Sequence, residues 1–313
     1  MQLSSHAQCA LFEQQIVTGP RGGEESIIVR YHGTNQQQDP EAREEDDSLL
    51  VPIEPDTSSL ETNNVNLYGS KATSAYRMGD PYDTWFSNRF SFPTIMVYLG
   101  DGRRPVLGKT LPPPGAQEQQ VQQQGWISSL VSYMTSSRPS STSSGAPWIT
   151  FADMAPLLVT SESSIKDVNK RFLQNGETVD MYKFRPNIVV DGEGESAWAE
   201  DFWAELTVTD TTNPAEGAHQ KKNTLQLTGN CVRCSSLNVD YETGRKAGGE
   251  LGNVLKRLMK ERRVDLGSKW SPVFGRYAFL QRADDEEFIV SVGDGVAVTR
   301  RNEERTVWDW PPL

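Results

Sequence analysis

Residues 109–147 cannot take part in a packed core. They contain Pro112-Pro113-Pro114, a Gln-rich run from Gln117 to Gln124 and a Ser-rich run from Ser136 to Ser144. Such a composition buries too little apolar surface to offset the entropy of ordering the chain. Inside it Trp126, Ile127, Leu130, Val131 and Met134 make a small amphipathic island, readable as part of an insertion that docks loosely or as a partner-binding helix. The 313 residues therefore divide into a unit over 1–108, this low-complexity insertion, a second unit over 148–300 and a C-terminal tail over 301–313. The chain is long enough for a sizeable core.

The first unit alternates short apolar runs with polar turns. Strands are expected at Ala10 to Val17, Ser26 to Tyr31, Leu49 to Ile53, Val65 to Tyr68 and Lys71 to Arg77, with a solvated loop from Asn35 to Asp47 between the second and third. A helix is expected over Tyr82 to Phe90, with Asp80 as N-cap, Pro81 at the first helical position and Trp85, Phe86 and Phe90 on its apolar face. Thr94 to Leu99 and Arg103 to Leu107, joined by Gly100-Asp101-Gly102, read as a strand and its return. Strands this short suit an open or closed barrel better than a parallel sheet.

In the second unit Leu157 to Val159 reads as a buried strand. A helix is expected from Ser164 to Leu173, with Ile165, Val168 and Phe172 on one face, a Ser164/Asp167 capping box and Gly176 as terminator. Strands follow at Asn187 to Val190, Ala204 to Val208, Thr224 to Leu227, Tyr277 to Leu280 and Phe288 to Val298. A further helix over Leu251 to Arg262 presents Leu251, Val254, Leu255, Leu258 and Met259 together. The fold class is mixed α+β, strand-dominated, with a few helices on the outside.

Charge narrows the function. There are 31 Lys and Arg against 42 Asp and Glu, a formal net charge of −11. That argues against a general binder of nucleic acid or anionic membranes, which needs a basic surface. No run approaches the roughly 18 apolar residues of a spanning helix, and Met1 to His6 has no secretory signal, so an intracellular, cytoplasmic protein is expected. Three cysteines, Cys9, Cys231 and Cys234, make no disulfide framework and fit a reducing compartment. With three histidines they cannot readily build a structural zinc site or an iron–sulfur cluster.

Two segments carry chemistry. Gly229-Asn230-Cys231-Val232-Arg233-Cys234 holds a C-x-x-C pair after a strand-like run, and Ser235 to Asp240 after it is not an amphipathic helix. That context weakens a thioredoxin-like reading, in which the first Cys opens a helix. A thiolate beside Arg233 remains a possible soft metal ligand, and a pair of buried strand cysteines is the plain alternative. In Lys183-Phe184-Arg185-Pro186-Asn187, Pro186 biases Arg185 toward extended backbone, which would set Arg185 and Asn187 on one side as a fork for a phosphate or a heterocycle edge. The alternative is an ion pair of Arg185 with Glu193, Glu195, Glu200 or Asp201.

Taken in order, these segments resemble a known family. Phe184 to Val190, Trp198-Ala199-Glu200-Asp201-Phe202-Trp203, Cys231-Val232-Arg233-Cys234, Thr243-Gly244, Phe274-Gly275-Arg276-Tyr277 and Val292-Gly293-Asp294 resemble the MOSC domain in order and spacing, and Phe151 to Ser164 is similar to that domain's opening. The first hundred residues resemble the β-barrel domain that precedes it in the eukaryotic, mitochondrial amidoxime-reducing components. The resemblance implies a molybdopterin cofactor whose metal is held by Cys234, with Cys231 a neighbour and not a ligand. Arg185 and Asn187 would lie near the pterin or its phosphate, Val232 and Arg233 would supply backbone and side-chain donors, and Asp153 and Ser161 would line the pocket. The implied reaction is two-electron reduction of an N-hydroxylated substrate such as an amidoxime to the amine-type product and water, with Asp201 or Asp153 relaying protons. The implied electron donor is a cytochrome b5 with its reductase. MOSC domains are also linked to sulfur transfer and to pyridoxal phosphate, but no lysine here stands out as a Schiff-base former.

One motif departs from the family. A strand with a Tyr-Pro-Ile/Val-Lys-Ser/Gly pattern, whose Lys contacts the cofactor, is not found before the Gln2 to Val17 segment, nor is a following binding Arg. An incomplete first barrel with an open edge is therefore expected. Association with the mitochondrial outer membrane is implied if an anchor precedes this sequence. A degenerate, non-catalytic binder of molybdopterin or a phosphate ligand is the second functional expectation, and a C-x-x-C thiol–disulfide protein the third.

Overall fold

In the computed structural model, which describes residues 2–18, 25–33, 48–67, 73–108, 148–171, 176–192, 194–211, 222–281 and 289–310, the apolar runs of the first unit pair as antiparallel ladders. Strands β1 (Phe12–Thr18), β2 (Glu25–Tyr31) and β3 (Ser48–Pro52) form one sheet. Residues 10–11, expected in the first strand, belong to a 3-10 turn over Ala7–Leu11. Strands β4 (Thr62–Val65), β5 (Thr73–Arg77) and β6 (Val97–Tyr98) form a second sheet. Helix α1 (Tyr82–Phe90) has the expected bounds. Its Tyr82, Trp85 and Phe86 pack on Val29, Leu49 and Val51 of the first sheet, and Phe90 stacks on Phe12 with ring centroids 4.8 Å apart. The cap residue is Pro81, not Asp80; Asp80 still serves the helix start, its Oδ1 accepting from Thr84 N at 3.2 Å and from Thr84 Oγ1 at 2.6 Å.

The expected hairpin between Thr94 and Leu107 does not form. β7 (Arg104–Pro105) pairs instead with β8 (Trp148–Ile149), joining the two ends of the insertion. Arg104 is buried there and donates to the carbonyls of Thr150, Ala152 and Asp153. The insertion itself, 109–147, with its amphipathic island, and the loop over 35–47 lie outside the described residues.

The second unit is built on a six-stranded sheet. It comprises β9 (Leu157–Ser161), β10 (Ile188–Val190), β11 (Trp203–Thr209), β12 (Lys222–Val232), β15 (Val273–Gln281) and β16 (Gly295–Arg301), in the order β10-β9-β15-β12-β11-β16. Only β9 and β10 run parallel. The sheet curls into a half-barrel, strand-dominated as expected, around Val159, Trp203, Leu206, Leu225, Leu227 and Ala278. β15 must come very close to β9. At Gly275 (φ +81) a Cβ would lie 2.8 Å from the Val159 carbonyl oxygen, so only glycine fits. A small ribbon, β13 (Val239–Asp240) with β14 (Arg245–Lys246), stands beside the sheet.

Helices close one end of the sheet. α2 (Glu162–Arg171) and α3 (Val254–Leu258) bury Ile165, Val168, Val254 and Leu258 against Phe184, Leu237 and Phe274. α3 is shorter than expected, because Leu251–Asn253 is a 3-10 turn and the chain leaves the helix after Leu258. The Ser164/Asp167 capping box is also not made. Ser164 is buried inside the helix, donating to Glu200 Oε2 at 2.8 Å and accepting from Trp198 N at 2.8 Å, while Asp167 pairs with Arg171 and accepts from Trp198 Nε1. The tail does not hang free, since Asn302 N donates to the Phe202 carbonyl, Trp308 N to Asp265, and Trp310 is buried.

Glu200 has no exposure, and burial pushes its pKa from 4.5 up to about 7, with the Ser164 hydrogen bond opposing. An acid whose pKa rises on folding holds its proton more tightly in the native state. Stability is therefore full below about pH 4.5 and falls as the pH rises through about 7. Glu200→Gln is expected to flatten this slope, matching wild type near about pH 4 and exceeding it near about pH 8 by on the order of 3 kcal/mol, read from urea midpoints.

Candidate functional site

β12 ends at the cysteine pair, and the alternation of its side chains separates two environments. Asn230 points to one face. Its Nδ2 donates to Asp265 Oδ2 at 2.7 Å and to the Thr306 carbonyl at 2.8 Å, and its Oδ1 accepts from Arg276 Nη1 at 2.8 Å. The same guanidinium nitrogen donates to the Asp201 carbonyl at 3.0 Å. The Asp201 carboxylate, 1% exposed, accepts from Arg262 Nη2 at 2.7 Å and from Arg305 Nε at 2.8 Å. Asp201, expected as a proton relay, is thus fixed in an arginine network with both carboxylate oxygens engaged. It sits on the face away from Cys231.

Cys231 points to the other face, with Tyr277, the neighbour of Arg276 on β15. Burial and the hydrogen bond to the Cys231 sulfur push the Tyr277 phenol well above its ordinary range. Arg233, buried, clamps this side. Its Nη1 donates to Cys231 Sγ at 2.8 Å and its Nη2 to the Phe184 carbonyl at 2.7 Å, while its Nε is buried without a partner among the described residues. The Arg233 backbone N–H, expected as a ligand donor, is taken by the Pro272 carbonyl at 2.8 Å. Val232, half-buried, pairs with Val273.

Cys234 is exposed, with its Sγ 3.2 Å from Ser236 Oγ at the start of a 3-10 turn over Ser235–Asn238. The two cysteines are thus in different environments, one buried beneath a guanidinium and one open to solvent.

Arg185 is not extended. It takes left-handed backbone (φ 55, ψ 46), with its N–H on the Tyr182 carbonyl, because it closes the 3-10 turn over Met181–Phe184. The fork with Asn187 is therefore not formed. Asn187 is used structurally, its Oδ1 accepting from Leu158 N at 2.8 Å and its own N–H reaching the Leu158 carbonyl, which latches β10 to β9. Arg185 is exposed, and no ion pair joins it to Glu195, Glu200 or Asp201. Ser161 is buried at the end of β9 and bonded to Ser163 Oγ at 2.9 Å. Asp153, on the loop held by Arg104, acts electrostatically on Tyr277.

Tyr241 is the residue the sequence reading missed. Its hydroxyl is buried without a hydrogen-bond partner among the described residues, and Arg185, Arg233 and Cys234 all act on it electrostatically. Tyr182 meets its ring edge-on at 5.3 Å, and Lys183 Nζ, bonded to the Val239 carbonyl, lies 5.8 Å from the ring centroid. Its one signal was position, two residues before Thr243-Gly244. Among the described residues no group of three His, Cys, Asp or Glu could hold a metal ion. What the site offers is one open thiol, a buried guanidinium with a spare N–H, a buried phenol with a spare O–H and a surface arginine. That donor set fits an anionic, oxygen-rich ligand carrying a thiophilic metal.

A curled, strand-dominated sheet whose longest strand is followed, two residues on, by an exposed cysteine frames the site. Residues 146–297, just under half of the chain, match the MOSC domain, and this part of the chain resembles the mitochondrial amidoxime-reducing components. It is 33% identical over 150 residues to mitochondrial amidoxime-reducing component 1 of Mus musculus and 32% identical over 152 residues to that of Homo sapiens, covering 47% of this chain and 38% of each relative. It is 31% identical over 156 residues to the molybdenum cofactor sulfurase of Arabidopsis thaliana, covering 47% of this chain and 16% of that protein. The matched region thus spans well under half the length of these curated relatives.

Proposed function

We propose that this chain binds a molybdenum cofactor through Cys234 and reduces N-hydroxylated substrates of the amidoxime type. The observation that carries this reading is the open Cys234 thiol beside buried, unpartnered donors on Arg233 and Tyr241. When bound, the cofactor supplies the two-electron reduction that removes the substrate oxygen as water. Arg233 Nε, the Tyr241 hydroxyl and the Arg185 guanidinium hold its anionic part. Cys231 keeps Arg233 in place through Nη1, and Ser236 orients the Cys234 sulfur. Asp153 and Ser161 line the neighbouring wall, with Asp153 as the proton donor; Asn187 and Val232 shape the pocket through the backbone they hold. Electrons come from a separate donor of the cytochrome b5 type with its reductase, and association with mitochondria follows the relatives. Residues 1–108 form the accompanying N-terminal domain. Pyridoxal phosphate finds no support, since Lys183, the lysine beside the site, is buried and bonded to a carbonyl.

The test is reduction of an aromatic amidoxime by the cofactor-supplied chain with a reduced viologen as donor. Cys234→Ser is expected to lower the rate at least ~100-fold, whereas Cys231→Ser, which keeps an acceptor for Arg233, retains most of it. A Cys234→Ser variant as active as wild type would contradict the proposal.

A further inference from the structure

The chain leaving α3 presents two large apolar side chains to water. Leu266 is 73% exposed and Trp270 78% exposed, on the loop between α3 and β15. The loop is held firmly. Buried Asp265 accepts from Gly267 N and Trp308 N through Oδ1, each at 2.8 Å, and from Asn230 through Oδ2. Ser268 N and Ser271 N close further turns, and Pro272 receives the Arg233 N–H. Gly267 packs so closely on the Trp308 backbone that a Cβ would lie 2.0 Å from its carbonyl oxygen. The tip is therefore built to stand out.

Cations flank it in the sequence. Lys256 on α3, Lys260 and Arg263 in the chain that follows it, and Lys269 beside Trp270 are all exposed. None of them forms an ion pair among the described residues. Of the segment's other charges, Arg257 pairs with Glu250, Arg262 with Asp201 and Glu261 with Arg171, and Asp265 is buried on backbone N–H groups and Asn230. In a chain of net charge −11 this is a local basic patch with an apolar point.

We propose that this loop docks the protein on an anionic bilayer surface, with Trp270 and Leu266 entering the headgroup layer and Lys256, Lys260, Arg263 and Lys269 meeting lipid phosphates. Trp is suited to that layer, having an apolar body and a polar N–H. Each cation near an anionic surface raises affinity by about fivefold. A stable protein partner would need a broad contact of roughly 800 Å² per side, whereas a narrow tip flanked by separate cations matches an interface between water and lipid. The inference is independent of the proposed catalytic reading. The net charge of −11 averages over the whole chain and does not describe this basic segment.

The test is co-sedimentation of the full chain with vesicles of phosphatidylcholine alone or mixed with phosphatidylserine. Binding to the mixed vesicles, weakening as salt rises, is expected. The double variant Leu266→Ser/Trp270→Ser should bind at least ~10-fold more weakly with an unchanged melting temperature, since neither side chain is packed. Lys260→Glu/Arg263→Glu/Lys269→Glu should lose the preference for phosphatidylserine. No sedimentation with either vesicle, equal binding to both, or a double variant that binds like wild type would overturn the proposal. So would concentration-dependent dimerisation abolished by the double variant without vesicle binding, which would assign the tip to a second copy of the chain.

Discussion

Asp201→Ala is expected to destabilise the protein by about 3–5 kcal/mol, the cost of leaving buried charge uncompensated. Arg262, with a side chain 5% exposed, would lose its carboxylate partner, and Arg305 would lose its own. Arg262 lies across the Trp198 ring with its guanidinium carbon 3.9 Å from the centroid, so the loss would propagate to the packing of α2 against the sheet. Asp201→Asn, which keeps a carbonyl acceptor but not the charge, should recover only part of the loss. Denaturant midpoints at neutral pH measure both. Were Asp201 instead a proton relay, the two variants would keep wild-type stability and lose turnover. An Asp201→Ala midpoint within ~0.5 kcal/mol of wild type would contradict the structural role.

Arg233→Met is expected to lower cofactor affinity by about 10- to 100-fold, the worth of a charge-assisted hydrogen bond in a buried site. Methionine keeps the apolar stem and removes the donors to Cys231 Sγ and the Phe184 carbonyl as well as the spare Nε. Arg233→Lys should not rescue, because a point charge cannot serve three directions at once. Molybdenum retained after gel filtration reports the loss. Retention equal to wild type in Arg233→Met would remove this residue from the site.

How much of this was legible depends on how local each signal was. Helix α1 appeared with its expected bounds because Trp85, Phe86 and Phe90 repeat at helical spacing within nine residues. The cysteine pair at a strand end was visible for the same reason, since strand and motif are contiguous. Arg185 was misjudged because Pro186 only biases its neighbour, and the 3-10 turn over Met181–Phe184 overrode that bias. The pairing of Arg104 with Ile149 spans the whole insertion, and no local pattern can announce a partner so distant. Asp201 read as a candidate acid because an exposed and a buried carboxylate look alike in sequence. Its partners, Arg262 and Arg305, lie 61 and 104 residues away. Tyr241 passed unnoticed because a phenol becomes distinctive only once its hydroxyl is seen buried and unpartnered.

The proposal rests on one thiol, so the metal content of the purified chain tests it most directly. Produced with ample cofactor supply, the wild-type chain should carry about one molybdenum per molecule, Cys231→Ser close to the same, and Cys234→Ser almost none. A wild-type chain free of molybdenum under those conditions, or a Cys234→Ser chain that retains it, would contradict the account.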